Sequence, residues 1–369
     1  MVRLAIVGAG AMGGHQARKF KEIAGCELVA VCDVDLARAH AFALDHGVPQ
    51  VYADLQTMLD QAELDAVSVV TPDRFHKDAA LKVIAAGKHI LCEKPLATNE
   101  ADAREMARAA RAAGVINMIN LSYRDSAALQ RARELIADGV LGRVMHVDAG
   151  YLQSWLSSKV WGDWRSDPQW LWRLSSEHGS KGVLGDVGIH ILDFAGFPVG
   201  DIRSVNCKLR CFDKAAGNRI GEYPLDANDS ALIRVEFDNG ALGTVQATRW
   251  ATGHSNTLNL RIYGERGAVK IEIDMEHGWE TIALCTGDNV DLVQWERLKL
   301  EPTPGIYQRF IAGIVGGIND QPDFERGAYL QRVLDRCFDS DSQDRTLPVL
   351  HDLAPVAASA RLDESVTRA

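Results

Sequence analysis

Two clusters of residues in this chain have the types and spacing to do chemistry. The first is Gly8-Ala9-Gly10-Ala11-Met12-Gly13, directly after the apolar run Arg3–Val7 and before a helical pattern reaching about Ile23. A GxGxxG between a strand and a helix brings backbone against a pyrophosphate. Gly8 permits the tight turn, Gly10 the close approach, and Gly13 the packing of helix on strand, while the helix N-terminus offers N–H groups to the anion. The next strand, Glu27–Cys32, ends in Asp33, about 20 residues past the last glycine. An acid there accepts hydrogen bonds from adenosine ribose hydroxyls and repels a 2′-phosphate, so NAD is expected over NADP. Arg38 is the residue that would greet a 2′-phosphate. The competing use of Asp33 is to cap a helix beginning near Asp35.

The second cluster is Lys94, Asp186 and His190. Hydride transfer from a secondary alcohol needs a base for the hydroxyl proton and a group that stabilises the developing alkoxide. An imidazole and an ammonium have those chemistries. Lys94 follows a strand and precedes Pro95. Asp186 lies four residues before His190, so on a helix both share a face, and the glycine-rich Gly179–Gly188 favours close backbone approach where that helix starts. Asp186 would bind substrate hydroxyls or orient and charge-tune the imidazole. Taken alone, such a pair is more often a surface helix pair than a catalytic one, and such a lysine is usually solvated. His178, Asp186, His190 and Asp193 make no compact ligand pattern, so no metal is expected.

The elements that must position these groups alternate in kind. Asp54–Gln61 reads as helix, Ala66–Val70 as buried strand, Phe75–Ala86 as helix, His89–Cys92 as strand, Glu100–Ala112 as helix and Val115–Ile119 as strand. Alternating strand and helix implies a parallel sheet with helices on both faces and ligands beyond the strands' carboxyl ends. Three further loops then matter: Thr71-Pro72, Glu93-Lys94-Pro95 and Asn120 to Arg124. After a helix near Ser126–Asp138 the pattern changes. Strand-like runs appear at Val144–Tyr151, Val205–Phe212, Ser230–Phe237, Gly243–Trp250, Leu258–Tyr263, Ala268–Ile273 and Thr281–Cys285, with turn signals at Asp238-Asn239-Gly240 and Gly264 to Gly267. Tyr307–Ile318 and Ala328–Ser340 read as helices.

With these segments in view, the chain resembles the glucose–fructose oxidoreductase, inositol dehydrogenase and rhizopine-catabolism (Gfo/Idh/MocA) family. The resemblance is carried by AIVGAGAMG, by AVSVVTPDRFHKDAALKVIAAGKHILCEKPLATN and by GSKGVLGDVGIHILD. It implies an α/β Rossmann domain over residues 1–122. It also implies an α+β domain over 123–369 with an open, largely antiparallel sheet that carries the substrate site and mediates oligomerisation. The tail Pro355–Ala369 is expected to fray or pack back on the first domain. The resemblance carries catalytic roles onto Lys94, Asp186 and His190, with His190 as acid/base. It assigns Gly8, Gly10, Ala11, Met12, Gly13, Asp33, Thr71, Pro72, His76, Glu93 and Lys94 to NAD. DWRxxP, Asp163 to Pro168, resembles a motif of sugar-oxidising members and adds Trp164 and Arg165 as cofactor contacts.

Five of the eight tryptophans, at 155, 161, 164, 170 and 172, fall in one short segment beside Tyr151, with Lys159, Arg165, Arg173 and Lys181 interleaved. Indole faces pack on the C–H faces of pyranose rings, and the cations suit a carboxylate, a sulfonate or the pyrophosphate. Tyr123, Arg124, Trp155, Arg173 and His178 are accordingly expected at the substrate. The competing role for the segment is an aromatic interface or a loop core. The leading expectation is oxidation of a secondary hydroxyl of a sugar or cyclic polyol with NAD. A rival begins with the same step and ends as redox-neutral hydrolysis of a glycoside, such as a sulfoquinovoside. A third is a dinucleotide-binding sensor, against which the proton-transfer residues argue.

Composition bounds the partners. With 40 Lys and Arg against 50 Asp and Glu, the formal charge of −10 argues against nucleic acid or an anionic membrane. No apolar run is long enough to span a bilayer, and Val2–Val7 already reads as a strand where a signal peptide would lie. Seven cysteines without CxxC spacing suit free thiols in a reducing cytoplasm. At 369 residues the chain is long enough for two cores, and a homodimer or homotetramer is expected.

Overall fold

The computed structural model describes residues 1–349; the expectation about the tail from Pro355 lies outside them. Six strands, β1 (Val2–Val7), β2 (Cys26–Cys32), β3 (Gln50–Tyr52), β4 (Ala66–Val69), β5 (His89–Cys92) and β6 (Asn117–Ile119), form one sheet in the order β3-β2-β1-β4-β5-β6. Every pairing in it is parallel. Such strands read as almost unbroken apolar runs because helices cover both faces, and β4 is buried along its whole length. β3 was not anticipated. It is a three-residue edge strand, too short to carry a period. Strand order reverses between β1 and β4, which opens a crevice beyond their carboxyl ends. The loops after β1, β4, β5 and β6 meet there.

The helices end where local chemistry dictates. Asp35, Asp54 and Asn99 each accept a backbone N–H from the first turn of the helix that follows, which satisfies one of the orphaned donors. Gly47 and Gly114 close two of them in the left-handed region.

The second sheet has nine strands. In spatial order they are Glu296–Arg297, Trp279–Thr286, Gly267–Asp274, Asn256–Gly264, Val144–Gln153, Leu242–Thr248, Ser230–Phe237, Ile202–Arg210 and Leu347–Pro348. All seven anticipated strands are present. All neighbours run antiparallel except Val144–Gln153 with Leu242–Thr248. Burial alternates along Ser230–Phe237 and Gly267–Asp274, so one face is covered and the other open. The helices Ala127–Ala137 and Ile189–Val199 lie on the covered face.

A cut near residue 122 separates the two sheets but not the two cores. The helix Ile306–Gly316 returns to the first sheet, where Ile306, Phe310 and Ile311 pack with Leu4, Ile6 and Phe20. The helix Phe324–Gln343 packs on both Glu100–Ala113 and Ile202–Arg210. The cleft between the sheets is thus clamped by late parts of the chain.

Candidate active site

The loop after β1 is built for close approach. Gly8 has φ +108°, and a Cβ there would sit 2.6 Å from the Val70 carbonyl oxygen. A Cβ on Gly13 would sit 2.1 Å from the Gly8 oxygen, whereas one on Gly10 would meet nothing within 4 Å. The backbone at Gly10 therefore faces open space at the N-terminus of the helix Ala11–Lys21, as a bound pyrophosphate requires. Asp33 does not cap the next helix. Its Oδ2 accepts from Ala9 N at 2.8 Å and its Oδ1 from Asp35 N at 2.9 Å, while Asp35 makes the cap to Arg38 N. Arg38 pairs with Asp35 at 3.0 Å and stands 3.6 Å from Asp33, so it is already engaged by carboxylates.

Beyond this loop runs a groove lined by Met12, Thr71, Pro72, His76, Glu93 and Lys94. The Thr71 hydroxyl is buried without a partner. The ring nitrogens of His76 lie 2.8 Å from the carbonyl oxygens of Thr71 and Pro95, tying two loops together. Glu93 is held by three donors: Gln16 Nε2 at 2.7 Å, Asn120 Nδ2 at 2.5 Å and Lys94 N at 3.1 Å. The open backbone, the carboxylate at Asp33 and the unpartnered hydroxyl fit a dinucleotide. With Asp33 in place and Arg38 paired, kcat/KM should favour NAD over NADP, and Asp33→Ser combined with a basic neighbour should narrow the gap. Native kcat/KM in favour of NADP would overturn this reading.

Lys94, Asp186 and His190 converge where this groove meets a second cavity of about 720 Å³. Lys94 Nζ donates to the Asp186 carbonyl oxygen at 2.9 Å and stands 3.5 Å from its carboxylate. The Asp186 carboxylate also accepts from Arg173 at 3.3 Å and Arg249 at 3.1 Å. Burial works to raise the Asp186 pKa, but the three cations outweigh it and hold the carboxyl well below the ordinary range. The segment Leu184–Gly188 is a π-helical turn running into the α-helix Ile189–Val199, a wider turn of the kind found at functional sites.

His190 is 8% exposed, its ring edge-on to Tyr123 at 4.6 Å between centroids, and its Nδ1 has no partner. Burial, then the charge of Lys94, pushes its pKa down to about 3 against the opposing pull of Asp186 and Asp193. His190 is therefore neutral at pH 7, and Nδ1 has no partner within the protein. Unfolding restores an ordinary histidine that binds a proton below about pH 6.5. The stability tied to the neutral ring is complete above that pH and is lost as pH falls toward 3. In urea unfolding, the stability of the wild type relative to His190→Gln should fall by about 1.4 kcal/mol per pH unit below pH 6. A pH-independent difference would contradict the buried neutral ring.

The cavity sorts the remaining expected residues. Tyr123, Trp155 and Arg173 line it, with Tyr151, Gln153, Asn256, Trp161 and Trp170. Arg124 does not. Its guanidinium is buried, with Nε and one terminal nitrogen bonded to Asp193 at 2.6 and 2.7 Å, so it is a structural ion pair rather than a substrate contact. His178 lies exposed on the surface, bonded to Ser175 and packed on Tyr223. Trp164 is 1% exposed in an apolar cluster with Leu156, Leu171 and Leu225, which leaves no face for a cofactor. Arg165 stacks on Trp164 from the solvent side and lines neither cavity. The Trp-Arg pair that faces the groove is Trp172 and Arg173 instead.

Several site residues carried no sequence signal. Arg249 follows a strand as an isolated cation, yet its side chain is wholly buried against Asp186 and Trp155. Asp125 lines the cavity and also accepts from Ile306 N at 2.8 Å, capping a helix from a distant part of the chain. Tyr307 enters from that helix, its hydroxyl accepting from Asn120 at 3.2 Å. No group of three or more His, Cys, Asp or Glu that could hold a metal ion occurs among the described residues, and no described helix is long and apolar enough to cross a membrane. All seven cysteines are free thiols.

A glycine-loop groove, an acid at the end of β2 and a Lys-Asp-His cluster at its mouth are features of an NAD-binding oxidoreductase. The chain belongs to the Gfo/Idh/MocA oxidoreductase family: residues 2–121 match its NAD-binding Rossmann fold and residues 129–270 its C-terminal domain. It is 30% identical over 233 residues to a levoglucosan dehydrogenase from Pseudarthrobacter phenanthrenivorans, covering 59% of this chain and 57% of that one. It is 34% identical over 253 residues to a D-glucoside 3-dehydrogenase from Escherichia coli K12, covering 65% and 68%. The matched stretch thus spans little more than half of the first relative. In fold it resembles the levoglucosan dehydrogenase solved in complex with NADH, with a TM-score of 0.82 at 23% identity over 95% of this chain and 100% of that chain. NAD is the cofactor of this Rossmann domain.

Proposed function

We propose that this protein oxidises a secondary hydroxyl of a sugar or cyclic polyol with NAD. The carrying observation is the convergence of Lys94, Asp186 and His190 at the junction of a nucleotide groove and a cavity walled by aromatic and hydrogen-bonding side chains. Bound NAD supplies the hydride acceptor. The chain's residues do the rest. Neutral His190 takes the hydroxyl proton on a ring nitrogen. The Lys94 ammonium stands beside the reacting oxygen and stabilises its developing negative charge. Asp186 stays ionised and holds Lys94, Arg173 and Arg249 in one constellation. Gln153, Asn256 and the hydroxyls of Tyr123 and Tyr151 offer partners for the other sugar hydroxyls. The relatives named for levoglucosan and D-glucoside oxidation support this substrate class.

The test is a panel of free sugars, polyols and glycosides with NAD, following NADH absorbance and aglycone release together. Stoichiometric NADH supports the proposal. Aglycone release without net NADH marks the redox-neutral route, and tight NAD binding without turnover marks a sensor. Seven free thiols suit a reducing cytoplasm. The open face of the second sheet exposes Leu232 and Leu242, which suits a homodimer or homotetramer that sedimentation would read directly.

A further inference from the structure

The mechanism uses the inner end of the 720 Å³ cavity and leaves its outer end unexplained. A row of three indoles leads outward from Asp186. Arg249 bonds Asp186 and lies 4.9 Å over the Trp155 ring; Arg173 bonds Asp186 and stands 5.7 Å from the Trp170 ring. Trp155 and Trp170 are 5.4 Å apart, and Trp161 continues the row, stacked on Trp170 at 5.7 Å and 17°. The row ends at the turn between the strands Gly267–Asp274 and Trp279–Thr286, where the Trp161 indole N–H donates to Glu276 at 3.0 Å and Met275 lines the cavity. Trp155 is almost wholly buried, whereas Trp170 and Trp161 are half-buried. Their inner sides pack on the cluster around Leu156 and Leu225 while they line the cavity. The Trp170 Nε1 is buried in this wall without a partner, so Trp170 offers the cavity its ring rather than its N–H.

A core needs no such arrangement. Trp164 shows what a purely structural tryptophan does here: it is buried on all sides, and its N–H is satisfied by the Leu156 carbonyl oxygen at 3.2 Å.

We propose that Trp161 and Trp170, with Met275, form an outer subsite for a second ring, so that the substrate is a glycoside whose aglycone is a sugar or an aromatic ring rather than a free monosaccharide. This rests on the sugar-oxidising reading above. The aglycone ring lies against the indole wall, while the sugar to be oxidised sits between Lys94 and His190.

The experiment compares kcat/KM for a free hexose, its methyl glycoside, its phenyl glycoside and a disaccharide, in wild type and in Trp161→Ala, Trp161→Phe and Trp170→Phe. Quenching of tryptophan fluorescence by each sugar is read in parallel. Wild type should prefer the two-ring substrates by about tenfold or more, mostly through KM. That ratio should fall toward one in Trp161→Ala and survive in Trp161→Phe. Trp170→Phe, which keeps a ring, should retain most of it. A ratio near one in wild type, a ratio untouched by Trp161→Ala, or a change in oligomeric state alone would overturn the subsite. If no sugar yields NADH, the oxidising function fails, and fluorescence quenching by phenyl glycoside over methyl glycoside still decides the subsite.

Discussion

His190→Ala and Lys94→Ala should each lower kcat by roughly 10²–10⁴, the usual loss for a proton-transfer or charge-stabilising group, while NAD still binds. On the proposed reading the glycine loop, Asp33 and Thr71 hold the dinucleotide, and His190 takes no part in that. Lys94→Ala removes one of three cations from Asp186, and Arg173 and Arg249 remain to hold the carboxylate ionised. The loss therefore reports on the ammonium at the reacting oxygen rather than on collapse of the cluster. Lys94→Arg should not rescue, because a planar guanidinium cannot reproduce a compact ammonium beside the nicotinamide. The measurement is stopped-flow formation of the first NADH on mixing enzyme, NAD and substrate, which reads hydride transfer whatever follows it. A normal hydride-transfer rate in His190→Ala would falsify the acid/base assignment. NAD affinity, read by fluorescence, should change by no more than a few-fold in either variant.

The second large effect falls on stability, at a residue that sequence assigned to the substrate. Arg124 and Arg326 both bond the Asp193 carboxylate, and the Arg124 and Asp193 side chains are 4% and 3% exposed. Burial opposes ionisation of Asp193, but the two guanidinium groups overcome it and hold its pKa down to about 2. Removing one member of such a buried group strands the others in a poorly solvated place, at a cost of about 3–5 kcal/mol. Asp193→Asn should lower stability by that order, since Arg326 keeps Asp201 as a partner while Arg124 is left with none of its carboxylate bonds. Arg124→Met should also destabilise, and KM for the sugar should move little in the fraction that folds. The native ion pair's contribution is complete above about pH 4, where the unfolded carboxyl ionises, and is lost as pH falls toward 2. Urea unfolding at neutral pH checks the first claim, and substrate KM the second. An Arg124→Met protein of wild-type stability with a raised KM would restore the substrate role.

The two predictions also mark where local reading succeeds and where it stops. The Rossmann half was legible because its information is local. GAGAMG between strand and helix, the acid at position 33 and the alternation of apolar strands with capped helices each depend on residues close in sequence. Seven of the nine strands of the second sheet were equally legible, since one covered face imposes a period of two; Glu296–Arg297 and Leu347–Pro348 are two-residue edge strands, too short to show it. Lys94, Asp186 and His190 were marked by short motifs, and the fold brings them together from the end of β5 and the start of the helix Ile189–Val199.

Other assignments needed distance. Whether an arginine serves a ligand or a core depends on what sits opposite, and Asp193, 69 positions away, decided that for Arg124. Two Trp-Arg pairs lie eight residues apart and look alike as text. Burial in the Leu156 cluster withdrew Trp164 and Arg165 from the groove, and the short helical turns over Pro168–Leu174 presented Trp172 and Arg173 to it. Arg249, Asp125 and Tyr307 reach the site from a strand end, a capping contact and a returning helix, and none has a motif of its own. Sequence by itself determined the cofactor groove and most strands of the two sheets, because each follows from neighbours along the chain, while the family resemblance singled out Lys94, Asp186 and His190. The tertiary structure alone decided which cations surround Asp186, which indoles face the cavity, and which charged side chains are buried as structure. Those outcomes depend on pairing, burial and free volume, and these exist only once distant segments are packed together.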